Sequence, residues 1–98
     1  MVLYWEVSKD LIFESKRSES DIIHKILSET KKGIKKTHLM YKANLSNKQL
    51  NRYLNILVEK RFVEKKGTLH NGKQYFLTNK GIRLLNPLTI FIKLIAGN

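Results

Sequence analysis

Between Asn47 and Leu57 the chain offers amides and cations and no carboxylate. Asn47, Lys48, Gln49, Asn51, Arg52 and Asn55 interleave there with Leu50, Leu54 and Leu57. A carboxamide can make a pair of hydrogen bonds to the edge of adenine, and a guanidinium can do the same to guanine. A lysine ammonium neutralises phosphate without reading sequence. Any amphipathic helix has a polar face, but an ordinary one mixes both signs of charge. A face without acids favours a polyanionic partner, because a carboxylate there would repel phosphate. Ser46 stands just before this run, and Gln49 lies on its flank near the start, where base contacts concentrate.

Further cations gather on either side. Lys31, Lys32, Lys35 and Lys36 precede a short segment holding Thr37, Tyr41 and Lys42. Lys65, Lys66, His70 and Lys73 follow. All are candidates for phosphate contact, and for any single lysine a solvated surface position is the competing reading. The hydroxyls of Tyr41 and Tyr53 could reach phosphates, or the rings could pack in the core.

Other chemistries find little to work with. Cysteine is absent, which removes disulfides, thiolate metal ligands and thiol nucleophiles. His24, His38 and His70 are scattered, without metal-ligand spacing. No Gly-rich phosphate loop or nucleophile motif occurs, and the last aspartate is Asp21. Neither an enzyme, a metal site nor a small-molecule cofactor is expected.

A length of 98 residues suits one domain with one modest core. The net charge is +11, and it is unevenly placed. Residues 1–30 carry four bases against six acids, whereas residues 31–98 carry fifteen bases against Glu59 and Glu64 alone. The polyanion-binding surface is therefore expected beyond residue 30. No run approaches the ~20 apolar residues that a bilayer requires, and no secretory leader is visible. The expected location is cytoplasmic, on the nucleoid, with no membrane partner.

The elements that position these residues follow from period and punctuation. Residues 1–17 form an apolar extension with no clean period. Ser18 is placed to cap a first helix carrying Ile22, Ile23, Ile26 and Leu27, with an end predicted at Lys31-Lys32-Gly33. A second helix is predicted from Thr37, as N-cap, to Ala43. Asn44-Leu45-Ser46 reads as a turn with Leu45 as a buried plug, and a third helix spans about 47–60. Strands are expected over 62–66 and 73–77, turned by Asn71-Gly72. Thr78 caps a fourth helix carrying Ile82, Leu84 and Leu85, and Asn86-Pro87 is expected to interrupt it. The rest, within 86–98, is apolar almost all round. A homodimer interface through Leu88, Phe91, Ile92 and Ile95 is the preferred account; intramolecular core and membrane-surface insertion are the alternatives.

Three helices and a hairpin define an α+β winged helix-turn-helix over residues 18–85, with the helix-turn-helix within 37–60. The run Lys36-Thr37-His38-Leu39-Met40-Tyr41-Lys42-Ala43-Asn44-Leu45-Ser46 resembles that of the small archaeal winged-helix proteins, which include crenarchaeal chromatin proteins with a coiled-coil tail. Gly72 to Gly81 is similar to the same family's wing and final-helix start. The resemblance covers about residues 20–85. It implies double-stranded DNA binding by the third helix and wing, and dimerisation through the last helix. Asn86-Pro87 and the short tail depart from the long heptad helix of the chromatin members, which favours a transcription regulator over a bulk DNA packer. Architectural coating of DNA, and a protein-interaction module on the same fold, are the rival functions.

Overall fold

The computed structural model describes residues 18–68, 70 and 72–96. The order is α1 (Glu19–Glu29), α2 (Lys36–Ala43), α3 (Asn47–Glu59), β1 (Val63–Thr68), β2 (Gly72–Leu77) and α4 (Asn79–Ile95). This is the expected winged helix-turn-helix arrangement. The apolar extension of residues 1–17 lies outside the described residues.

Each helix start has a local cause. The Ser18 hydroxyl accepts the Asp21 N–H at 3.1 Å, and the Thr78 hydroxyl accepts the Gly81 N–H at 2.9 Å. Each such cap stabilises its helix by about 1 kcal/mol. α2 differs from expectation. It begins two residues earlier, with Lys35 as N-cap and no side-chain cap, so Thr37 lies inside the helix. α2 ends on Asn44 at φ 55°, with Asn44 N–H bonded to Tyr41 O and Leu45 N–H to Met40 O. That pair of bonds is a Schellman turn, and it drives Leu45 into the core as a plug.

The core is built from one face of every element. Ile26 and Leu27 meet Leu39, Ala43, Leu45, Leu50, Leu54 and Leu57, with Val63, Tyr75 and Leu85 closing the far side. α1 ends earlier than Lys31-Lys32-Gly33, at Thr30. Thr30 is fully buried, its hydroxyl donates to Leu27 O, and its carbonyl accepts the Leu77 N–H at 2.8 Å. Ile34 then pairs with Tyr75 by two backbone bonds. The α1–α2 connection is thus stitched to the outer edge of β2. Gly33 makes the approach possible. Its φ is +87°, and a Cβ there would lie 2.3 Å from the Phe76 ring.

α4 corrects a second expectation. It runs unbroken through Pro87. The missing N–H leaves the Arg83 carbonyl without its helical partner, but Asn86 and Pro87 are exposed, so water can serve it. Packing supplies the rest. Thr89 donates its hydroxyl proton to Leu85 O at 2.9 Å, which leaves its oxygen to accept from His24 Nε2 at 2.9 Å. This link ties the helix beyond the proline to α1. Near the start of α4, Ile82 is 42% exposed, whereas Leu85 is buried.

Candidate nucleic-acid interface

The start of α3 is fixed by a reciprocal cap. The Ser46 hydroxyl accepts the Gln49 N–H at 3.1 Å, and the Gln49 side-chain oxygen accepts the Ser46 N–H at 3.0 Å. Both residues are candidate DNA contacts by residue type. Here each has a structural task, and the amide nitrogen of Gln49 keeps its donors. Leu50, Tyr53, Leu54 and Leu57 turn to the core. Lys48, Arg52 and Asn55 form the most outward row, one turn apart and all exposed. Asn47 is exposed beside them, and Asn51 is half-buried on the flank. The Arg52 guanidinium lies 5.6 Å from the Tyr53 ring centroid, an arrangement that limits its rotamers.

The two tyrosines separate cleanly. Tyr53 is 9% exposed and belongs to the core, while Tyr41 is 74% exposed. Tyr41 stands one turn from Thr37 on the outer side of α2, and both are open to solvent. Lys35 and Lys42 are exposed, and Lys36 is half-buried. Because Ile34 is bonded to Tyr75, the basic start of α2 sits against the wing.

Helix electrostatics reinforce this pattern. A helix N-terminus carries about half a positive charge, and acids in the first turn usually complement it. α1 follows that rule with Glu19 and Asp21. The first turns of α2, α3 and α4 contain no acid. Free positive ends of this kind attract phosphate.

The register of the wing divides its lysines. Lys65 is opposite Tyr75 and Gly67 is opposite Lys73, while Lys66 is opposite Gln74. Side chains alternate between faces, so Lys65 and Lys73 share the face of Tyr75, and Lys66 lies on the other with Phe76. Lys66 Nζ approaches Glu64 Oε1 at 3.8 Å, and Glu64 is the one acid of the described wing residues. His70 is exposed at the turn.

The expected dimer residues also divide. Leu88 and Ile92 are half-buried on the side of α4 that carries Leu85 and Thr89, whereas Phe91 and Ile95 are exposed. Ile90 and Leu94 join them, Leu94 at 72% exposure. Arg61 and Lys80 lie outside the candidates that the sequence pattern names. Arg61 adopts φ +67° just after α3, and Lys80 Nζ donates to Lys60 O at 2.8 Å over the Phe62 ring. The signal for Arg61 was legible in principle: α3 ends without glycine, so a non-glycine residue must take the left-handed position. Among the described residues, no group of three or more His, Cys, Asp or Glu could hold a metal ion. None of the described helices is long and apolar enough to cross a membrane.

Residues 16–96 match the sequence model of the winged helix-turn-helix family. The chain belongs to that family. A relative is the uncharacterized protein MJ0287 of Methanocaldococcus jannaschii, 34% identical over 74 residues, which span 74% of this chain and 71% of MJ0287. Among solved structures, this winged helix-turn-helix chain is similar to Sso10a-2, a DNA-binding protein from Sulfolobus solfataricus. The TM-score is 0.68 at 30% identity, over 82% of this chain and 83% of Sso10a-2. The winged-helix DNA-binding protein F93 from STIV gives the same TM-score of 0.68 at 22% identity, over 85% of this chain and 98% of F93. The second likeness is one of fold. The family match runs on through α4, about eleven residues past the resemblance read from the sequence.

Proposed function

We propose that this winged helix-turn-helix protein binds double-stranded DNA and acts as a transcriptional regulator on the nucleoid. α3 enters the major groove. Lys48, Arg52 and Asn55 face the bases and nearest phosphates, and Asn47, Gln49 and Asn51 serve the flanks. The observation that carries this reading is the outward row of α3, exposed and free of acid from Asn47 to Leu57. Lys35, Lys36, Thr37, Tyr41 and Lys42 contact the backbone from α2, with Lys65, Lys73, Lys66 and His70 from the wing. Sso10a-2, itself a DNA-binding protein, supports the reading through 30% identity over most of both chains.

Residues 18–85 form the DNA-binding unit in this account, and residues 86–98 the dimer contact. Exposed Ile90, Phe91, Leu94 and Ile95 give a second copy an apolar face to cover. Two recognition helices would then address half-sites about 34 Å apart.

The test is an anisotropy titration of labelled duplex from the protein's own upstream region, with a scrambled duplex as control, over a range of salt. A native preference of order 10³ that persists as salt rises marks a regulator. Equal, steeply salt-dependent binding to both marks an architectural protein. No binding to either at low salt overturns the proposal and moves the search to protein partners.

A further inference from the structure

β1 is an edge strand, and the hydrogen bonds around it show which of its groups are unused. Tyr75 gives both its N–H and its C=O to Ile34, at 2.8 and 3.1 Å. It therefore cannot bond across to Lys65, its partner in the register. Leu77, opposite Val63, likewise sends its N–H to Thr30. Antiparallel ladders alternate between bonded and non-bonded pairs. The backbone groups of Val63, Lys65 and Gly67 accordingly point away from β2. The sheet of the described residues contains only β1 and β2, and along this edge Lys65 and Gly67 are exposed, whereas Val63 is buried.

A groove of about 580 Å³ runs beside the edge, between the end of α3 and the start of α4. Val58 and Val63 supply apolar wall, and Arg61, Lys65 and Lys80 supply charge. Glu64 is the one acid there, and it faces Lys66 at 3.8 Å. Lys80 is held in place by its bond to Lys60 O. Arg61 is held at a cost. It occupies the left-handed position of a Schellman turn, with Arg61 N–H bonded to Val58 O and Phe62 N–H to Leu57 O. Glycine would fill that position without the strain a Cβ brings. What arginine adds is its guanidinium.

We propose that the free edge of β1 and this groove accept an extended acidic segment of a partner protein, added as a further strand with its carboxylates on Arg61, Lys65 and Lys80. The inference goes beyond the DNA-binding reading and does not depend on it. Peptide fits where the alternatives do not. The edge presents donors and acceptors in turn, which another backbone satisfies and a phosphate, an acceptor only, does not. A second copy pairing edge to edge would bring Lys65 and Lys66 against like charges. Lysines on an edge discourage self-pairing and select an acidic strand.

The experiment is anisotropy of a labelled peptide of about ten residues alternating Glu and Val, long enough to cover the strand. Controls alternate Lys and Val, or Glu and Pro. The Glu-Val peptide is expected to bind, the Lys-Val peptide to fail, and the Glu-Pro peptide to lose about tenfold, since proline cannot donate. Lys65→Pro removes an N–H that points to solvent, so the fold is kept while strand addition is blocked. Arg61→Gly is expected to weaken the peptide about fivefold with thermal stability unchanged or raised, and with duplex binding unchanged. Equal affinity for the Glu-Pro peptide, or for Arg61→Gly, would reduce the site to unspecific charge and overturn the proposal. So would failure of the Glu-Val peptide, or self-association in sedimentation that Lys65→Pro abolishes.

Discussion

Helices α1 and α3 begin in the same way. A serine hydroxyl accepts the N–H of the third residue onward, at 3.1 Å in both. Each then lays an apolar face on the common core. Beyond that they part. α1 places Glu19 and Asp21 in its first turn and pairs Lys25 with Glu29 at 3.1 Å near its end. α3 places Asn47 and Lys48 in its first turn and keeps Lys48, Arg52 and Asn55 outward without a salt bridge to any described residue. The packing requirement is met equally by the two sequences. The dipole is complemented in one and left open in the other, and the open end faces outward with its cations. Stability alone would favour acids in both places.

Charge reversal should break this contrast most visibly. Lys48→Glu with Arg52→Glu is expected to lower duplex affinity by about 100-fold or more, with the melting temperature nearly unchanged. A melting temperature that collapses with the affinity would mean that this row supports the fold instead. Next come the caps. Ser18→Ala and Ser46→Ala should each cost about 1 kcal/mol in denaturant unfolding. Ser46→Ala should also weaken the duplex several-fold, because the Gln49 N–H loses the hydroxyl that sets the start of α3. Equal loss of DNA affinity in both variants would assign the effect to global stability.

The capped starts were legible because they depend on residues three apart. So was the leucine stripe of α3, a matter of period, and so was the hairpin, whose Gly72 has φ +68°. What escaped sequence reading depends on residues far apart. Pro87 argues against a continuous helix until His24, 65 positions from Thr89, is brought against it. The pairing of Ile34 with Tyr75 leaves no local trace, so the sequence pattern carries α1 to Gly33, whereas the helix ends at Thr30. The wing lysines were identifiable as a group, but their division between faces needs the register. For the recognition row, residue types named the candidates, and only the fold separated exposed Arg52 from half-buried Asn51 and from Gln49 in its cap.

Two smaller effects would sharpen the comparison. Asn47→Asp should stabilise the fold by about 0.5 kcal/mol by complementing the α3 dipole, and weaken duplex binding at the same time. Glu19→Gln in α1 should do the reverse to stability and leave binding alone. Parallel movement of stability and affinity in Asn47→Asp would argue against an anion at the start of α3. Within the wing, Lys65→Ala should reduce affinity about threefold and Lys66→Ala less, since Glu64 already opposes the Lys66 charge. The opposite order would put the Phe76 face of the hairpin on the backbone.

The bridge from Ile34 to Tyr75 has a consequence for folding. It joins positions about forty residues apart, so closing it loops the chain through α2, α3 and β1. The base of the wing is a long-range assembly, whereas its turn needs only neighbours. Amide exchange should follow the same division. The Tyr75 N–H should exchange only when the whole domain unfolds, and the Lys73 end of the hairpin should open locally and often. Exchange divided in this way would let Lys66 and Lys73, nearest the turn, follow the contour of a partner while the core stays closed.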